Sequence, residues 1–133
     1  MIDVVCGLIQ NPEGGFLACL RPHGKHLGGL WEFPGGKVES GETPETALVR
    51  ELQEELAVEV EVGLPLAPVI WQYDEKTIRL LPFRCRIIAG TLKAVEHERL
   101  FWCLPENFET LPWAAADRPI LREILSASNE TVN

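Results

Sequence analysis

The sequence predicts an α/β fold in which a mixed β-sheet lies between helical layers. Two helical segments, residues 44–57 and 117–125, are flanked by several strand-like segments rich in β-branched and apolar residues. Each helical segment carries apolar residues along one side, which a sheet face would cover. The 133 residues contain no linker, repeat or low-complexity segment, so we predict a single domain over residues 1–133.

The part of the chain before the first helix predicts three strands. Residues 2–10 have the composition of a strand, and residues 11–15 are a strong turn signal. Residues 16–21 are therefore predicted to form a hairpin with the first strand. Residues 22–29 form a loop, and residues 30–34 form a short strand that ends at a proline.

The first helix is predicted to follow a glycine-bearing loop. Gly35 and Gly36 allow close backbone approach or positive φ in this loop. Thr43 is a suitable N-cap, and Pro44 suits the first helical position because its missing N–H has no helical partner there. Glu45 adds a favourable charge to the first turn. The helix should therefore begin near Pro44.

This helix has one apolar side and one acidic side. At about 100° per residue, the apolar positions share a side: Leu48, Val49, Leu52 and Leu56. The other side carries Arg50 and three carboxylates, those of Glu51, Glu54 and Glu55. Like charges this close repel each other, so the arrangement needs cations to offset it. Hard oxygen ligands favour Mg²⁺, with Mn²⁺ as a second possibility.

The remainder of the chain predicts further strands and a closing helix. Residues 58–62 and 66–73 are extended, and residues 78–88 form a strand in which Pro82 indicates an edge or a bulge. Residues 100–103 form the last predicted strand. The closing helix covers residues 117–125 with Asp117 as candidate N-cap, and a polar tail of about residues 126–133 is expected to fray.

Composition and charge exclude several classes of protein. The net charge of −8 argues against a nucleic-acid polymer as partner, because no basic stripe is present to bind phosphates. The four cysteines are far apart in apolar runs, as is typical of buried reduced thiols. We find no signal peptide and no apolar run as long as a membrane span, so a cytoplasmic protein without a membrane partner is expected.

The acidic helix and the loop before it form a spaced motif. It consists of Gly36, five residues, Glu42, seven residues, Arg50-Glu51-Leu52, one residue, Glu54-Glu55, one residue and Ala57-Val58. This string resembles the Nudix box, which has a glycine where this chain has Ala57 and is matched at every other fixed position. The mismatch lies at the helix end, where glycine would ease a left-handed turn.

Segments outside the motif extend the resemblance to the MutT branch of the Nudix family. Similar segments are Leu20–Pro22, Trp31–Lys37, Glu96 six residues before Trp102, and Ala116–Pro119. Members of that branch hydrolyse nucleoside triphosphates to the monophosphate and pyrophosphate. The resemblance covers nearly the whole chain and implies a Nudix α/β/α sandwich that depends on Mg²⁺.

The resemblance also implies a set of metal ligands. The set comprises a carbonyl of Gly35 or Gly36 and the carboxylates of Glu51, Glu54, Glu55 and Glu96. Spacing to the tryptophan at position 102 favours Glu96 over Glu98 as the loop acid. A carboxylate is expected to position or deprotonate the attacking water. Glu51, Glu54 and Glu96 all remain candidates for this catalytic base.

Two residues near the motif have structural interpretations. Arg50 is expected to orient a glutamate through a bidentate ion pair rather than to touch the substrate. Glu42 is favoured as a structural carboxylate over a distant support for the metal cluster. Lys37 has two open interpretations, a phosphate contact or a solvated surface lysine.

Specificity is expected to depend on residues outside the motif. MutT-like enzymes recognise the base with an arginine that matches Arg21 and with a side-chain amide where this chain has Asp117. A carboxylate accepts two N–H groups from a guanine-type edge and also suits the cytosine amino group. Asp117 could instead only cap the last helix. Tyr73 could stack on the base or belong to the core.

The resemblance makes a Mg²⁺-dependent nucleoside triphosphate pyrophosphohydrolase the expected function. The first expectation is MutT-like clearing of 8-oxo-dGTP, a DNA-repair role, and the alternative is hydrolysis of CTP or 5-substituted dCTP. A non-catalytic Nudix nucleotide-binding module is disfavoured by the intact carboxylate set. An enzyme for dinucleoside polyphosphates or nucleotide sugars is disfavoured by the compact chain. A small nucleotide is the expected partner, and the protein is expected to be a monomer or weak dimer.

Overall fold

The fold is that of a computed structural model, which describes residues 1–132 of the chain and their side chains up to Ala127. The strands, in chain order, are β1 (Ile2–Ile9), β2 (Phe16–Leu20), β3 (Trp31–Glu32), β4 (Gly35–Lys37), β5 (Val58–Pro65), β6 (Val69–Tyr73), β7 (Lys76–Gly90) and β8 (Arg99–Cys103). The helices are α1 (Pro44–Leu56) and α2 (Arg118–Val132), and two 3₁₀ turns cover Pro105–Thr110 and Ala115–Asp117.

The strands form two sheets. The larger sheet has the order β4-β1-β7-β5, and β6 also pairs with β7. In this sheet β1 and β7 are parallel whereas the other pairs are antiparallel, so the predicted mixed sheet and α/β class are confirmed. The smaller sheet is antiparallel with the order β3-β2-β8.

The two sheets lie between the two helices because successive strand residues point to opposite faces. Val5 of β1 belongs to a core cluster that contains Leu48 and Leu52 of α1. Its neighbour Cys6 belongs to a second cluster that contains Ile120 and other apolar residues of α2. The resulting layering is α/β/α, with α1 on one side of the sheets and α2 on the other.

The predicted hairpin between the first two strands is wrong. The turn at residues 11–15 is present, with Asn11 N–H donating to the Gly15 carbonyl at 2.8 Å. Beyond one isolated bridge between Gln10 and Phe16, however, β2 pairs with β3 and β8 rather than with β1. The chain crosses between the sheets at this turn, because β1 pairs with β4 and β7 instead.

The glycine pair lies in a strand rather than in the expected loop. Gly35 and Gly36 belong to β4, which pairs antiparallel with β1 opposite Cys6 and Val5. A Cβ atom on Gly35 would collide with the Val5 carbonyl oxygen, so no larger residue fits at this separation. The short strand brings the chain beside α1 before the helix begins.

Pro82 lies in the most central strand of the larger sheet, so the edge position, one of the two predicted alternatives, is wrong. The other alternative is a bulge, and the pairing of β5 with β7 does shift register close to the proline, between Val62 and Pro65. β7 pairs with β1 along one side, and its other side changes partner at the proline. Pairing with β6 ends at Leu80 and pairing with β5 begins at Phe83. The missing N–H of Pro82 therefore falls between the two partner strands, where no ladder hydrogen bond is lost.

The helix ends follow from local chemistry. The Thr43 hydroxyl accepts the Thr46 N–H at 3.1 Å, and Pro44 is the first helical residue, which confirms the predicted start of α1. Ala57 ends α1 in the left-handed conformation at φ 59°. The second helix continues to Val132 rather than ending at residue 125, since the intervening residues include no glycine or proline. No helix in residues 1–132 is long and apolar enough to cross a membrane.

Candidate functional site

Two adjoining cavities open beside α1 and the glycine strand β4. The first, which we call the acidic cavity, has a volume of about 420 Å³. Its walls include Glu51, Glu55, Glu96, His97, Pro22 and Lys25. The second, the deep cavity, has a volume of about 230 Å³ and lies between the sheets and the start of α2. Its walls include Cys6, Phe33, Lys37, Tyr73, Ala116 and Asp117. Arg21, Glu32 and Gly35 line both cavities.

Glu55 lies at the base of the acidic cavity in a poorly hydrated position. The residue is 3% exposed, and its Oε2 atom has no hydrogen-bond partner among the described residues. Burial, followed by the charges of Glu32, Glu51 and Glu96, raises the pKa of this carboxyl to about 9. A cation placed beside Glu55 would lower the pKa again and satisfy the orphaned oxygen.

Glu51 lies one helical turn before Glu55 and directly against the glycine strand. A Cβ atom on Gly36 would collide with the Glu51 carboxyl group, so this carboxylate occupies space that only glycine leaves open. Burial raises the pKa of Glu51, and the hydrogen bond from Arg50 opposes that rise. The helix and the strand together place the Glu51 carboxylate and the backbone of β4 in contact.

Arg50 holds the carboxylates at the rim of the site. Its Nε and Nη2 donate to the two oxygens of Glu42 at 2.8 and 2.9 Å, which is bidentate geometry. Its Nη1 donates to Glu51 at 2.9 Å and to Glu54 at 3.4 Å. Its Nη2 also donates to the carbonyl of Lys37 at 3.1 Å. One guanidinium thus orients the loop before α1 relative to the helix.

The predicted acids do not all face the same space. Glu51, Glu55 and Glu96 share the acidic cavity with the backbone of Gly35. The side chain of Glu54 is 53% exposed and does not line that cavity. Its carboxylate instead forms an ion pair with Arg50. Glu98 also lies outside the lining, and its carboxylate is 3.0 Å from Nδ1 of His23. The geometry thus brings Glu96, and not Glu98, to the other acids.

The donor set fits a divalent cation. It consists of carboxylate oxygens beside the backbone of strand β4, and oxygen atoms are the hard ligands that Mg²⁺ and Mn²⁺ prefer. The Glu55 oxygen without a hydrogen-bond partner offers an ion a free ligand atom, and the absence of a side chain on Gly36 brings the Glu51 carboxylate against the backbone of β4. Among the side chains that the structure describes, up to Ala127, no three acidic, histidine or cysteine groups already converge with metal-binding geometry. Binding of a divalent cation would therefore require the carboxylates of the acidic cavity to move closer together.

Sequence reasoning missed two residues at the junction of the cavities. Glu32 accepts hydrogen bonds from Nη1 of Arg21 at 3.1 and 3.2 Å, and its Oε2 lies 2.9 Å from Nε2 of His97. The side chain of His97 is 5% exposed and lies 3.9 Å from the Glu55 carboxylate. Glu32 follows a tryptophan in a short strand and His97 follows Glu96 in a polar loop, so neither position had a distinguishing sequence signal.

Asp117 lies at the inner end of the deep cavity and is 6% exposed. Its Oδ2 accepts the backbone N–H of Phe33 at 2.8 Å, and no residue of α2 among those described donates to the carboxylate. The alternative role of Asp117 as cap of the last helix therefore has no hydrogen bond among the described residues, and the carboxylate contacts the residue after β3 instead. Burial, followed by the charge of Glu32, raises the pKa of Asp117 to about 8.

The remaining predicted contacts lie around the deep cavity. Arg21 is held by Glu32 and by the carbonyl of His26, which accepts Nε at 2.8 Å. Tyr73 forms part of the cavity wall and packs on the core, with its hydroxyl accepting the Ala116 N–H at 2.8 Å. Lys37 is exposed at the rim. Tyr73 thus packs on the core and also borders the cavity, and its stacking on a base stays a prediction.

Comparisons with known proteins match this architecture. A family model described as NUDIX domain matches residues 5–123. The chain is 41% identical over 126 residues to the CTP pyrophosphohydrolase of Escherichia coli (strain K12), covering 95% of this chain and 93% of that protein. It is 32% identical over 118 residues to the 8-oxo-dGTP diphosphatase of the same organism, covering 89% and 76%. The solution structure of the E. coli ORF135 protein matches with a TM-score of 0.82 and 41% identity, covering 95% of this chain and 89% of that chain. The predicted family resemblance is confirmed.

Proposed function

We propose that this chain, which belongs to the Nudix hydrolase family, is a Mg²⁺-dependent pyrophosphohydrolase of nucleoside triphosphates with a preference for cytosine nucleotides. One observation carries the proposal: an acidic cavity and a deep, largely apolar cavity meet at Arg21, Glu32 and Gly35. Such a pair of cavities fits a ligand that has a metal-bound polyphosphate at one end and a flat base at the other.

The acidic cavity would hold the triphosphate and the ion. Glu51, Glu55, Glu96 and a carbonyl of Gly35 or Gly36 would bind the metal, with Glu54 as a further ligand from the exposed side of α1. The bound metal would supply neutralisation of the triphosphate and a lowered pKa for water. Arg21 and Lys25 line the same cavity and offer positive charge to the phosphate oxygens.

The proposed reaction is in-line attack of water on the β-phosphorus. The bond between this phosphorus and the oxygen it shares with the α-phosphate breaks, which releases the monophosphate and pyrophosphate. A carboxylate takes the proton from the attacking water, and Glu51, Glu54 and Glu96 are the candidates. Arg50 keeps Glu51 and Glu54 oriented through the contacts described above.

The protonation of Asp117 is what favours cytosine. With its pKa raised to about 8, this carboxyl is mostly neutral at neutral pH and can both donate and accept a hydrogen bond. Cytosine offers a ring nitrogen acceptor beside an amino donor, which complements a neutral carboxyl group. The relative named CTP pyrophosphohydrolase, with 41% identity over 95% of this chain, supports the same choice.

A second candidate substrate is 8-oxo-dGTP, the first expectation from sequence. The ionised form of Asp117 would accept two N–H groups of a guanine-type edge, and this form grows as the pH approaches 8. The relative named 8-oxo-dGTP diphosphatase supports this candidate. Cytosine is placed first because burial disfavours the ionised carboxylate.

A nucleotide panel scored by kcat/KM tests the proposal. Pyrophosphate release is measured with Mg²⁺ for CTP, dCTP, 5-methyl-dCTP, UTP, ATP, dGTP and 8-oxo-dGTP. ATP is included because adenine presents the same donor and acceptor pair on a larger ring system. The proposal expects a cytosine nucleotide to rank first. A higher rank for 8-oxo-dGTP would select the second candidate, and no release from any nucleotide would indicate a non-catalytic binding module.

A further inference from the structure

His97 lies in the wall of the acidic cavity, at a buried position where a polar side chain is costly. Its side chain is 5% exposed, and Nδ1 is buried without a hydrogen-bond partner among the described residues. An apolar residue of similar size would fill this space without burying an unpaired nitrogen. The imidazole differs from such a residue in one useful way, because Nε2 can donate to Oε2 of Glu32 at 2.9 Å.

Glu32 also binds Arg21, so it links His97 to the guanidinium. Both oxygens of Glu32 lie within hydrogen-bond distance of Nη1 of Arg21, at 3.1 and 3.2 Å. The guanidinium makes one further hydrogen bond among the described residues, from its Nε–H to the backbone carbonyl of His26 at 2.8 Å. His26 is an exposed loop residue. Glu32 therefore fixes Nη1 of Arg21, and His97 in turn contacts Glu32.

We infer that His97 is a positioning residue of the site: it fixes Glu32, and through Glu32 the guanidinium of Arg21, at the junction of the acidic and deep cavities. The inference deepens the proposed function and rests on it for the kinetic consequence. His97 lines the acidic cavity, and its Nε2 lies 2.9 Å from Glu32 but 3.9 Å from Glu55, which is too long for a hydrogen bond. Its hydrogen bond therefore acts on a substrate through Glu32 and Arg21.

Two substitutions separate the hydrogen bond from the packing. In His97→Gln the side-chain amide nitrogen reaches about the position of Nε2, so the donor to Glu32 is kept. In His97→Leu the volume is filled but the donor is lost. His23→Leu is the matched control, because it removes a histidine–glutamate contact of similar length, 3.0 Å to Glu98, between exposed side chains.

The first readout is the Nε–H resonance of Arg21 in ¹⁵N-labelled protein without nucleotide or metal. It reports the position of the guanidinium and does not depend on activity. We expect this resonance to shift or broaden in His97→Leu and to stay close to the wild type in His97→Gln and His23→Leu. An Arg21 resonance that is unchanged in His97→Leu would overturn the inference, whether or not the protein hydrolyses nucleotides.

The second readout is the kinetics of the best substrate from the nucleotide panel. His97→Leu should lower kcat/KM by roughly 10- to 100-fold, mainly through KM, as expected for a residue that orients a binding group. His97→Gln should restore activity to within about threefold of the wild type. In protein that already carries Glu32→Gln, His97→Leu should lower kcat/KM little further, because both changes disrupt the contact between residues 32 and 97. Additive losses, or equal losses in the two His97 variants, would contradict the inference.

A second variant tests the inference if His97→Leu is unstable. If His97→Leu does not fold, His97→Asn replaces it, because its amide is polar but too short to reach Glu32. An Arg21 resonance unchanged in His97→Asn would again overturn the inference. Failure of the proposed function is recognised separately, since wild-type protein would then release no pyrophosphate although the resonances still follow the predicted pattern.

Discussion

The carboxylate of Asp117 accepts the backbone N–H of Phe33 across 2.8 Å, and this bond ties the start of the last helix to the residue after β3. Two residues later in the chain, Gly35 lines both cavities. The bond therefore links the inner end of the deep cavity to the strand that borders the acidic cavity. It also leaves the remaining hydrogen-bonding capacity of Asp117 available to a base.

The pH dependence of base preference tests this role of Asp117. Because its pKa is raised to about 8, the neutral form that suits cytosine should give way to the ionised form that suits guanine as the pH rises. The ratio of kcat/KM for CTP over 8-oxo-dGTP should fall several-fold from about pH 6.5 to about pH 9. Effects of pH on the acidic cavity act on both substrates and cancel in the ratio.

Asp117→Asn is the control for that measurement. The amide has the same shape but does not ionise, so the ratio should become nearly independent of pH apart from titration of the bases themselves. The absolute preference should also change, because an amide cannot accept two N–H groups as a carboxylate does. An identical ratio and identical pH profile in Asp117→Asn would show that Asp117 does not read the base.

Burial of Asp117 also predicts a pH dependence of stability. The folded state raises the pKa from 3.8 to about 8, so it binds more protons than the unfolded state between these values. The contribution of this carboxyl to stability is therefore fully present below about pH 4 and is lost as the pH rises to about 8. The difference in Tm, Asp117→Asn minus wild type, should increase by roughly 5 °C or more from about pH 5 to about pH 9. Calorimetry without divalent cations measures it, and a difference that shrinks with pH would contradict the assigned burial.

Glu54→Gln tests the proposed chemistry on the exposed side of α1. The substitution keeps the shape and removes the charge, so turnover should fall by roughly 100-fold or more. Glu109→Gln, at an exposed position in the 3₁₀ turn, is the matched control and should retain full turnover. Mg²⁺-dependent pyrophosphate release is the measurement. Near-full activity of Glu54→Gln would remove Glu54 from the metal and base assignments.

Arg50→Lys tests the orientation of the carboxylates. A lysine cannot make the bidentate contact to Glu42 while also reaching Glu51, so kcat should fall by roughly 10-fold or more. Arg50 lowers the pKa of Glu42 from 4.5 to about 2, so this ion pair stabilises the fold above about pH 4.5 and less as the pH falls. The Tm gap between wild type and variant should therefore narrow in acid. A constant gap would show that the pair adds no pH-dependent stability.

Ala57→Gly tests the one departure from the family motif. Ala57 ends α1 at φ 59°, a left-handed conformation that costs an L-residue with a Cβ roughly 1 kcal/mol. The glycine should raise the free energy of unfolding by about that amount. Gly90→Ala is the opposite control, because Gly90 has φ 93° and an added Cβ would lie 2.6 Å from the Ala57 carbonyl oxygen. Urea denaturation measures both, and destabilisation by Ala57→Gly would show that unfolded-state entropy outweighs the strain.

The sequence by itself determined the features that depend on residues close together in the chain. The start of α1 at Pro44 and its opposed apolar and acidic sides follow from capping and from the helical period. The spacing from Gly36 to Glu55 was enough to identify the family, which the comparisons confirm. Local rules suffice here because a helix hydrogen-bonds within itself.

Only the tertiary structure decided which distant segments meet. Residues 16–20 could pair with β1 as a hairpin by every local rule, yet β2 pairs with β3 and β8. Glu32 and His97 are 65 positions apart and meet in a buried wall that no spacing rule describes. The raised pKa of Asp117 likewise results from burial among residues far along the chain. Strand pairing and burial are long-range properties, so the proposed specificity of this site depends on contacts that only the folded chain creates.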